Sequence, residues 1–339
     1  MKHNLKKGLA LLLMTALILG IAACGRVVAP GTSTQVETPK EKTKIKVAAL
    51  KGPTGMGMVE LMQSHEAGDA GLDYEFTLVG SPDDLVGKII SGEVDVAAVP
   101  TNLALVLHNR TEGAVQLAAV NTLGVLYMIE NGDTVHSMDD LKGKTVYTSG
   151  KGASPDYIFQ YILQKNQLTA DKDVMLDYKL QHAELAAALA AGDVNLGLLP
   201  QPHVTTALMK NQNLRIALDI TEEWTKVVEN QGKLAMGAII VQKEFAENHQ
   251  GAFNVFLEEY KKSVDFVNTH ADEAAVLIEK YEILPNAAIA KKAIPYSNIV
   301  YIDAQEAKPF LQDFYQILFN FDPKSIGGKL ADEGFYYKK

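Results

Sequence analysis

The 339-residue sequence has one cysteine, one tryptophan and three arginines, Arg26, Arg110 and Arg215. A lone cysteine excludes an internal disulfide, and no Cys/His cluster has the spacing of a zinc site. With 32 Lys+Arg against 41 Asp+Glu the formal net charge is −9, and nearly all the positive charge is lysine. Nucleic-acid backbones select clustered Lys and Arg, so an acidic, arginine-poor chain excludes that partner class. No Ser-His-Asp, Cys-His or His-Glu constellation is legible, and His65, His108 and His182 stand isolated. Neither a catalytic residue, a metal nor a cofactor is assigned, and enzymatic activity is not expected. Long apolar runs are also scarce. The run Gly8 to Ala23 is uncharged, but it falls short of the roughly 20 residues that span a bilayer.

That run follows the basic segment Met1–Lys7 and ends Ile21-Ala22-Ala23-Cys24. A basic start, a short apolar stretch and small residues before a boundary define a secretory signal peptide over 1–23, not a membrane span. The ending resembles the bacterial lipobox, in which the cysteine is lipidated. Cys24 is therefore the expected lipid-bearing (palmitate) residue. An acyl chain there anchors the protein to a membrane without threading it through. Residues 24–43, with Pro30, Gly31, Ser33, Pro39 and the charges of Lys40, Glu41 and Lys42 near the end, read as a flexible tether.

What is present is a repeat. Gly92-Glu93-Val94-Asp95-Val96-Ala97-Ala98-Val99-Pro100 is echoed by Gly192-Asp193-Val194-Asn195-Leu196-Gly197-Leu198-Leu199-Pro200. Each copy reads as a glycine helix stop, an acidic turn, a short strand buried on both faces, and a proline that ends pairing. A second element repeats at a similar offset. The strand Lys44–Leu50, loop Lys51–Gly57 and a helix over Met58–Ser64 correspond to the strand Thr145–Ser149, loop Gly150–Ser154 and a helix over Asp156–Lys165. Two elements repeating in register predict two similar α/β lobes. Further strands are expected at Tyr74–Val79, Val115–Asn121, Leu123–Ile129, Met175–Leu180, Leu214–Asp219 and Met236–Gln242. Thr221–Trp224 reads as the start of a polar stretch. From Phe245 onward the spacing of Phe253, Phe256, Leu257, Tyr260, Val264 and Val267 is helical. Ala271–Tyr281 and Pro309–Phe319 are further helices, forming a C-terminal helical cover on the first lobe.

The lipobox, the segment Val47–Met62, the Gly92–Ala97 element with Pro100-Thr101-Asn102, the lead-in Leu141-Lys142-Gly143-Lys144 and the C-terminal Pro323–Leu330 with Phe335-Tyr336-Tyr337 together resemble bacterial ABC-transporter substrate-binding lipoproteins. The branch is that of the type II periplasmic-binding-protein fold associated with nitrate, sulfonate, taurine and thiamine-precursor uptake. The resemblance implies an α/β fold with two similar lobes, each a mixed, mostly parallel sheet flanked by helices, joined by two hinge crossovers. It implies lobe one as 44–128 plus 240–339 and lobe two as 129–239. It further implies a small-molecule solute, ABC permease subunits as partners, a monomer, and a lipid-anchored position at the cell membrane facing outside the cytoplasm. A biosynthetic enzyme or a sensory lipoprotein on the same fold is the alternative.

In open α/β sheets ligands bind beyond the carboxyl ends of the strands. That selects Thr54, Gly55 and Met56, Thr101 and Asn102, Asn121, Ser149, Ala153 and Ser154, and Gln201 as candidate ligand-binding residues. Ser154 and Thr101 read equally as helix caps, His203 as a surface residue at a helix start, Trp224 as a packing residue and Tyr157 as a candidate stacking ring. The lack of arginine in these loops favours a neutral or heteroaromatic, vitamin-precursor-like solute. A sulfonate- or nitrate-type oxyanion held by helix N-termini and hydroxyls is the alternative.

Overall fold

The computed structural model describes residues 42–228 and 232–339. The expected signal peptide, Cys24 and the tether up to Glu41 lie outside the described residues. In chain order, β1 (Lys44–Leu50) leads through the single-turn α1 (Pro53–Met56) to α2 (Val59–Ala67), β2 (Asp73–Val79), α3 (Asp83–Ile90), β3 (Val96–Pro100), α4 (Thr101–Arg110) and β4 (Val115–Thr122). Next come β5 (Leu126–Asn131), β6 (Thr145–Tyr147), α5 (Ser154–Lys165), β7 (Met175–Asp177), α6 (His182–Ala191), β8 (Leu196–Pro200), α7 (His203–Lys210), β9 (Leu214–Asp219) and α8 (Ile220–Val227). The remaining elements are β10 (Gly237–Gln242), α9 (Lys243–Asn248), α10 (Gln250–Thr269), α11 (Ala271–Lys280), α12 (Ala287–Ala293), β11 (Ile299–Asp303) and α13 (Ala304–Phe321).

The strands form two sheets, ordered β11-β4-β10-β3-β1-β2 and β7-β6-β8-β5-β9. In the first, β1 to β4 point one way while β10 and β11 oppose them; in the second, only β5 opposes its neighbours. Apart from the added edge strand β11, the two sheets have the same plan. The repeat seen in β3 and β8 thus extends to whole sheets. In both copies the glycine after the helix has positive φ, 72° at Gly92 and 83° at Gly192, which a side chain would strain. In both, the four residues before the proline are buried, each large one contributing about 1.5–3 kcal/mol. The chain passes from the first sheet to the second between Thr122 and Leu126, and β10 returns it to the first.

Several expectations are corrected. The segment after Phe245 is not purely helical: Ile299–Asp303 forms β11, paired antiparallel with β4. Its Ile-Val-Tyr-Ile run is β-prone but short, and the surrounding helical periodicity obscured it. The last helix begins at Ala304, capped by Asp303, with Pro309 inside it. Burial of Ala307, Leu311, Phe314, Tyr315 and Leu318 outweighs the lost backbone bond at the proline. Nor does α13 cover one sheet only. Phe314 meets Trp224 of α8 edge-on at 6.1 Å, and Tyr157 of α5 donates to Asp322 at 3.1 Å. Thr221–Trp224 is the first part of a true helix, capped by the Asp219 carboxylate, which accepts from Thr221 N and Glu222 N. The strand expected over Thr145–Ser149 stops at Tyr147, and that over Met175–Leu180 stops at Asp177.

Candidate functional site

A cleft of about 520 Å³ opens where the carboxyl ends of β1, β3, β4 and β8 converge. Each strand end delivers a loop or helix start to it. From the first sheet come Lys51 and Thr54, then Thr101 and Asn102 at the start of α4, and Thr122. From the second come Ala153 and Ser154 at the start of α5, His182 of α6, and Gln201 and His203 at the start of α7. Six prolines (Pro53, Pro82, Pro100, Pro155, Pro200 and Pro202), with Val125, Met236 and Phe314, make much of the wall apolar. These prolines follow from the sequence logic: each sits where a strand stops or a helix starts, and neither position needs its missing N–H.

Of the candidate residues, Thr54, Thr101, Asn102, Ala153, Ser154 and Gln201 line this cleft. Gly55, Met56, Asn121 and Ser149 do not; they sit behind the lining. Gly55 lies so close to the Leu50 carbonyl that a Cβ would overlap it. Met56 is fully buried in the core beneath the first sheet. Asn121, also fully buried, donates from Nδ2 to the Thr54 carbonyl at 3.1 Å and accepts from Thr122 Oγ1 at 3.2 Å. It fixes the loop that presents Thr54. Ser149 Oγ lies 2.5 Å from His182 Nδ1 and so holds a lining residue. Tyr157 is spent on Asp322 and Phe321 and does not line the cleft.

Three lining groups are buried and have no hydrogen-bond partner: Thr101 Oγ1, Ser154 Oγ and Gln201 Nε2. Thr101 and Ser154 are not caps, because the helices begin on them and the capping positions are Pro100 and Ala153. In Gln201 the carbonyl oxygen accepts from Thr205 N at 3.3 Å and Thr205 Oγ1 at 2.8 Å, which leaves the amide nitrogen as the unpaired donor. An unpartnered buried polar group costs about 1–3 kcal/mol. Such groups gathered at one cavity call for a partner that the chain does not supply. The first backbone N–H groups of α4, α5 and α7 also lack intrahelical acceptors, and the helix dipoles add positive potential there.

Sequence reasoning read His203 as a surface residue and His182 as isolated, and missed that the two meet. The rings of His182 and His203 lie 5.5 Å apart, and both line the cleft. Burial lowers the His182 pKa to about 4, assisted by repulsion from His203. Burial lowers His203 as well. Both are therefore neutral at neutral pH. The available signal was position: each opens a helix on the cleft side of the second sheet, as Thr101 and Ser154 open theirs. Lys51 and Asp83 are the charged lining residues; Lys51 lies 3.9 Å from the exposed Glu282 carboxylate. No arginine lines the cleft among the described residues, nor do these residues contain a His/Cys/Asp/Glu cluster fit to hold a metal.

This architecture has known counterparts. A family model described as ABC transporter, phosphonate, periplasmic substrate-binding protein matches residues 61–281. The chain belongs to this family. The substrate-binding protein is 22% identical over 321 residues to YtlA of Bacillus subtilis (strain 168), covering 83% of this chain and 95% of that one. A crystal structure of an ABC transporter from Parabacteroides distasonis superimposes with a TM-score of 0.75 at 26% identity, covering 88% of this chain and 99% of that one. The periplasmic aliphatic sulphonate binding protein SsuA from Escherichia coli gives 0.68 at 16% identity, over 87% and 92% of the two chains. The periplasmic nitrate-binding protein NrtA from Synechocystis PCC 6803 gives 0.59 at 12%, over 83% and 82%. The resemblance read from the sequence is upheld. This is the extracytoplasmic substrate-binding component of an ABC transporter, with a small solute and the transporter's permease as partners. Among the described residues no helix is long and apolar enough to cross a membrane.

Proposed function

We propose that the protein captures a small organic solute bearing an anionic oxygen head in this cleft and hands it to an ABC permease. The observation that carries the reading is the set of three unpartnered buried donors, Thr101 Oγ1, Ser154 Oγ and Gln201 Nε2. Each stands at or just before the start of a helix, the end whose dipole favours an anion. The scarcity of arginine first favoured a neutral or heteroaromatic solute. Convergent helix starts supply what an arginine fork otherwise would, since hydrogen bonds to a charged group contribute about 1.5–3 kcal/mol each. The proline, Val125, Met236 and Phe314 wall suits an organic substituent on that head.

In this reading each lobe is built on one sheet, close to the expected 44–128 plus 240–339 and 129–239 but with the crossings between Thr122 and Leu126 and just before β10, and the solute bridges the lobes on closure. The protein acts as a monomer anchored through a lipid on Cys24, and it binds without turning its ligand over. Calorimetry on residues 25–339 tests the reading with methylphosphonate, ethanesulfonate, nitrate and an aminopyrimidine. Micromolar binding of an oxyanion, weakened by Gln201→Ala and Asn102→Ala, is expected. Tight binding of the aminopyrimidine alone would return the site to the neutral class, and conversion of any ligand to a product would make the protein an enzyme.

A further inference from the structure

We infer that Tyr157 and Asp322 are positioning residues for solute binding: the hydrogen bond between them latches the two lobes and sets the separation at which the starts of α4 and α5 face one solute. This rests on the reading that the lobes close on the solute. Tyr157 lies on α5, three residues beyond Ser154, and its hydroxyl donates to Asp322 Oδ2 at 3.1 Å. Among the described residues it is the one hydrogen bond from side chain to side chain that joins the second sheet and its helices to the first sheet and its helices. The Tyr127 hydroxyl also reaches across, to the Tyr296 carbonyl at 2.9 Å. It does so from β5, the strand that follows the first crossing.

The Asp322 end of this bond is firmly held. Asp322 follows α13, and its Oδ1 accepts from Lys324 N at 2.9 Å, capping the turn Pro323–Ile326. Ser325 Oγ donates to the Asp322 carbonyl at 2.6 Å. The turn is fastened along α4 at two points: Asn102 Nδ2 donates to the Ser325 carbonyl at 3.2 Å, and Asn109 Nδ2 to the Ile326 carbonyl at 2.9 Å. Gly327, at φ 82°, lies so close to α4 that a Cβ would sit 3.1 Å from Val106 Cα. Asn102 lines the cleft. One short chain of bonds therefore runs from the cleft through Ser325 and Asp322 to Tyr157, on the helix that carries Ser154. It gives a role to the segment Pro323–Gly327, which lines no part of the cleft.

Hydrogen bonds tolerate only a small stretch before they fail. Neither α5 nor the Pro323–Ile326 turn belongs to a crossing between the sheets, so opening of the lobes moves one against the other and breaks the bond. A phenol donating to a carboxylate forms the stronger, charge-assisted kind. Burial and the Asp322 carboxylate both raise the Tyr157 pKa above its ordinary value, so the donor keeps its proton at neutral pH. Around the bond, Tyr157 and Tyr161 pack on Phe321 at 6.0 and 6.5 Å. Apolar contact of this kind is non-directional and survives sliding, whereas the hydrogen bond is either made or broken. The bond therefore fixes where α5 stops relative to α4.

Residues 25–339 contain no cysteine, so Asp84→Cys on α3 and Ala187→Cys on α6 put one spin label on an exposed site of each lobe. Electron–electron distance measurements without solute then read the lobe separation. In Tyr157→Phe the ratio of long to short separations should rise about tenfold, the effect of one hydrogen bond to a carboxylate at the weak end of its range. Tyr161→Phe is the control: it lies on the same helix against the same Phe321, and its hydroxyl has no hydrogen bond among the described residues. It should match the unmodified protein. An unchanged distribution in Tyr157→Phe overturns the inference. So does an equal shift in Tyr161→Phe, which would assign the hold to ring packing. Whichever of methylphosphonate, ethanesulfonate, nitrate and an aminopyrimidine binds should leave Tyr157→Phe about tenfold faster at an unchanged association rate, and unchanged release overturns the positioning role. The distances are read without solute, so binding of none of the four counts against the solute reading alone.

Discussion

Gly237→Ala is the most informative single change at the cleft floor. Gly237 opens β10 and lies opposite Pro100 of β3 and Thr122 of β4. A Cβ there would sit 2.5 Å from Asn121 Oδ1, 2.7 Å from Thr54 Cγ2 and 2.9 Å from Thr122 Oγ1. Its φ is not among the positive values, so the penalty comes from space and not from backbone strain. Overpacking of this kind costs about 1–3 kcal/mol. Pushing Asn121 aside also threatens its bonds to Thr54 and Thr122, at about 1 kcal/mol each. Replacing glycine returns about 0.5–1 kcal/mol through the unfolded chain. The expected net loss is about 2 kcal/mol, a fall of several degrees in melting temperature. It should appear in urea titrations as a lower midpoint with unchanged slope. Solute affinity should fall too, because Thr54 lines the cleft. Gly87→Ala inside α3 is the control: nothing lies within 4 Å of its Cβ, so a gain of about 0.5–1 kcal/mol is expected. If Gly237→Ala unfolds at or above the native midpoint, the packing of the floor is not what sets its stability, and the account given for Asn121 fails.

Three further outcomes are expected. Trp224→Ala should cost about 3–5 kcal/mol, because Trp224 is buried, donates to the Gly232 carbonyl at 3.0 Å and packs on Phe314 and Tyr161; calorimetric unfolding measures it. Glu130→Ala should cost about 3 kcal/mol, read by urea titration at pH 7, since it leaves Arg215 without its buried partner at 2.7 Å. Acid should also weaken the solute-free protein through His182. Its folded pKa of about 4 lies below the ordinary 6.5, so the unfolded chain binds the proton first, and stability falls as pH drops from about 6.5 to about 4. His182→Gln should flatten the acid limb of a melting-temperature profile, and an unchanged limb would count against the buried neutral ring.

Much of the site was legible because its residues obey local rules. Thr101, Asn102, Ala153, Ser154 and Gln201 follow short buried strands or glycine-rich loops, and strand ends are where such folds bind ligands. The misses have tertiary causes. Met56, Gly55 and Asn121 share the right loops, but a loop turns only some of its residues toward the cavity. No sequence pattern states which ones. Thr101 and Ser154 fit a capping pattern, yet each helix starts one residue earlier than that pattern implies, and this frees their hydroxyls. His182 and His203 are separated by a helix and a strand, so their pairing exists only once α6 and α7 pack together.

The sequence by itself determined the α/β class, the duplicated plan and the strand ends that frame the cleft, because glycine stops, proline breaks and apolar periodicity act within a few residues. Only the tertiary structure decided that α13 bridges helices of both sheets, that β11 extends the first sheet, and that three orphan donors and two neutral imidazoles share one cavity. Burial and hydrogen-bond satisfaction depend on what lies across the cavity, and that information belongs to packing between distant segments, not to any one of them.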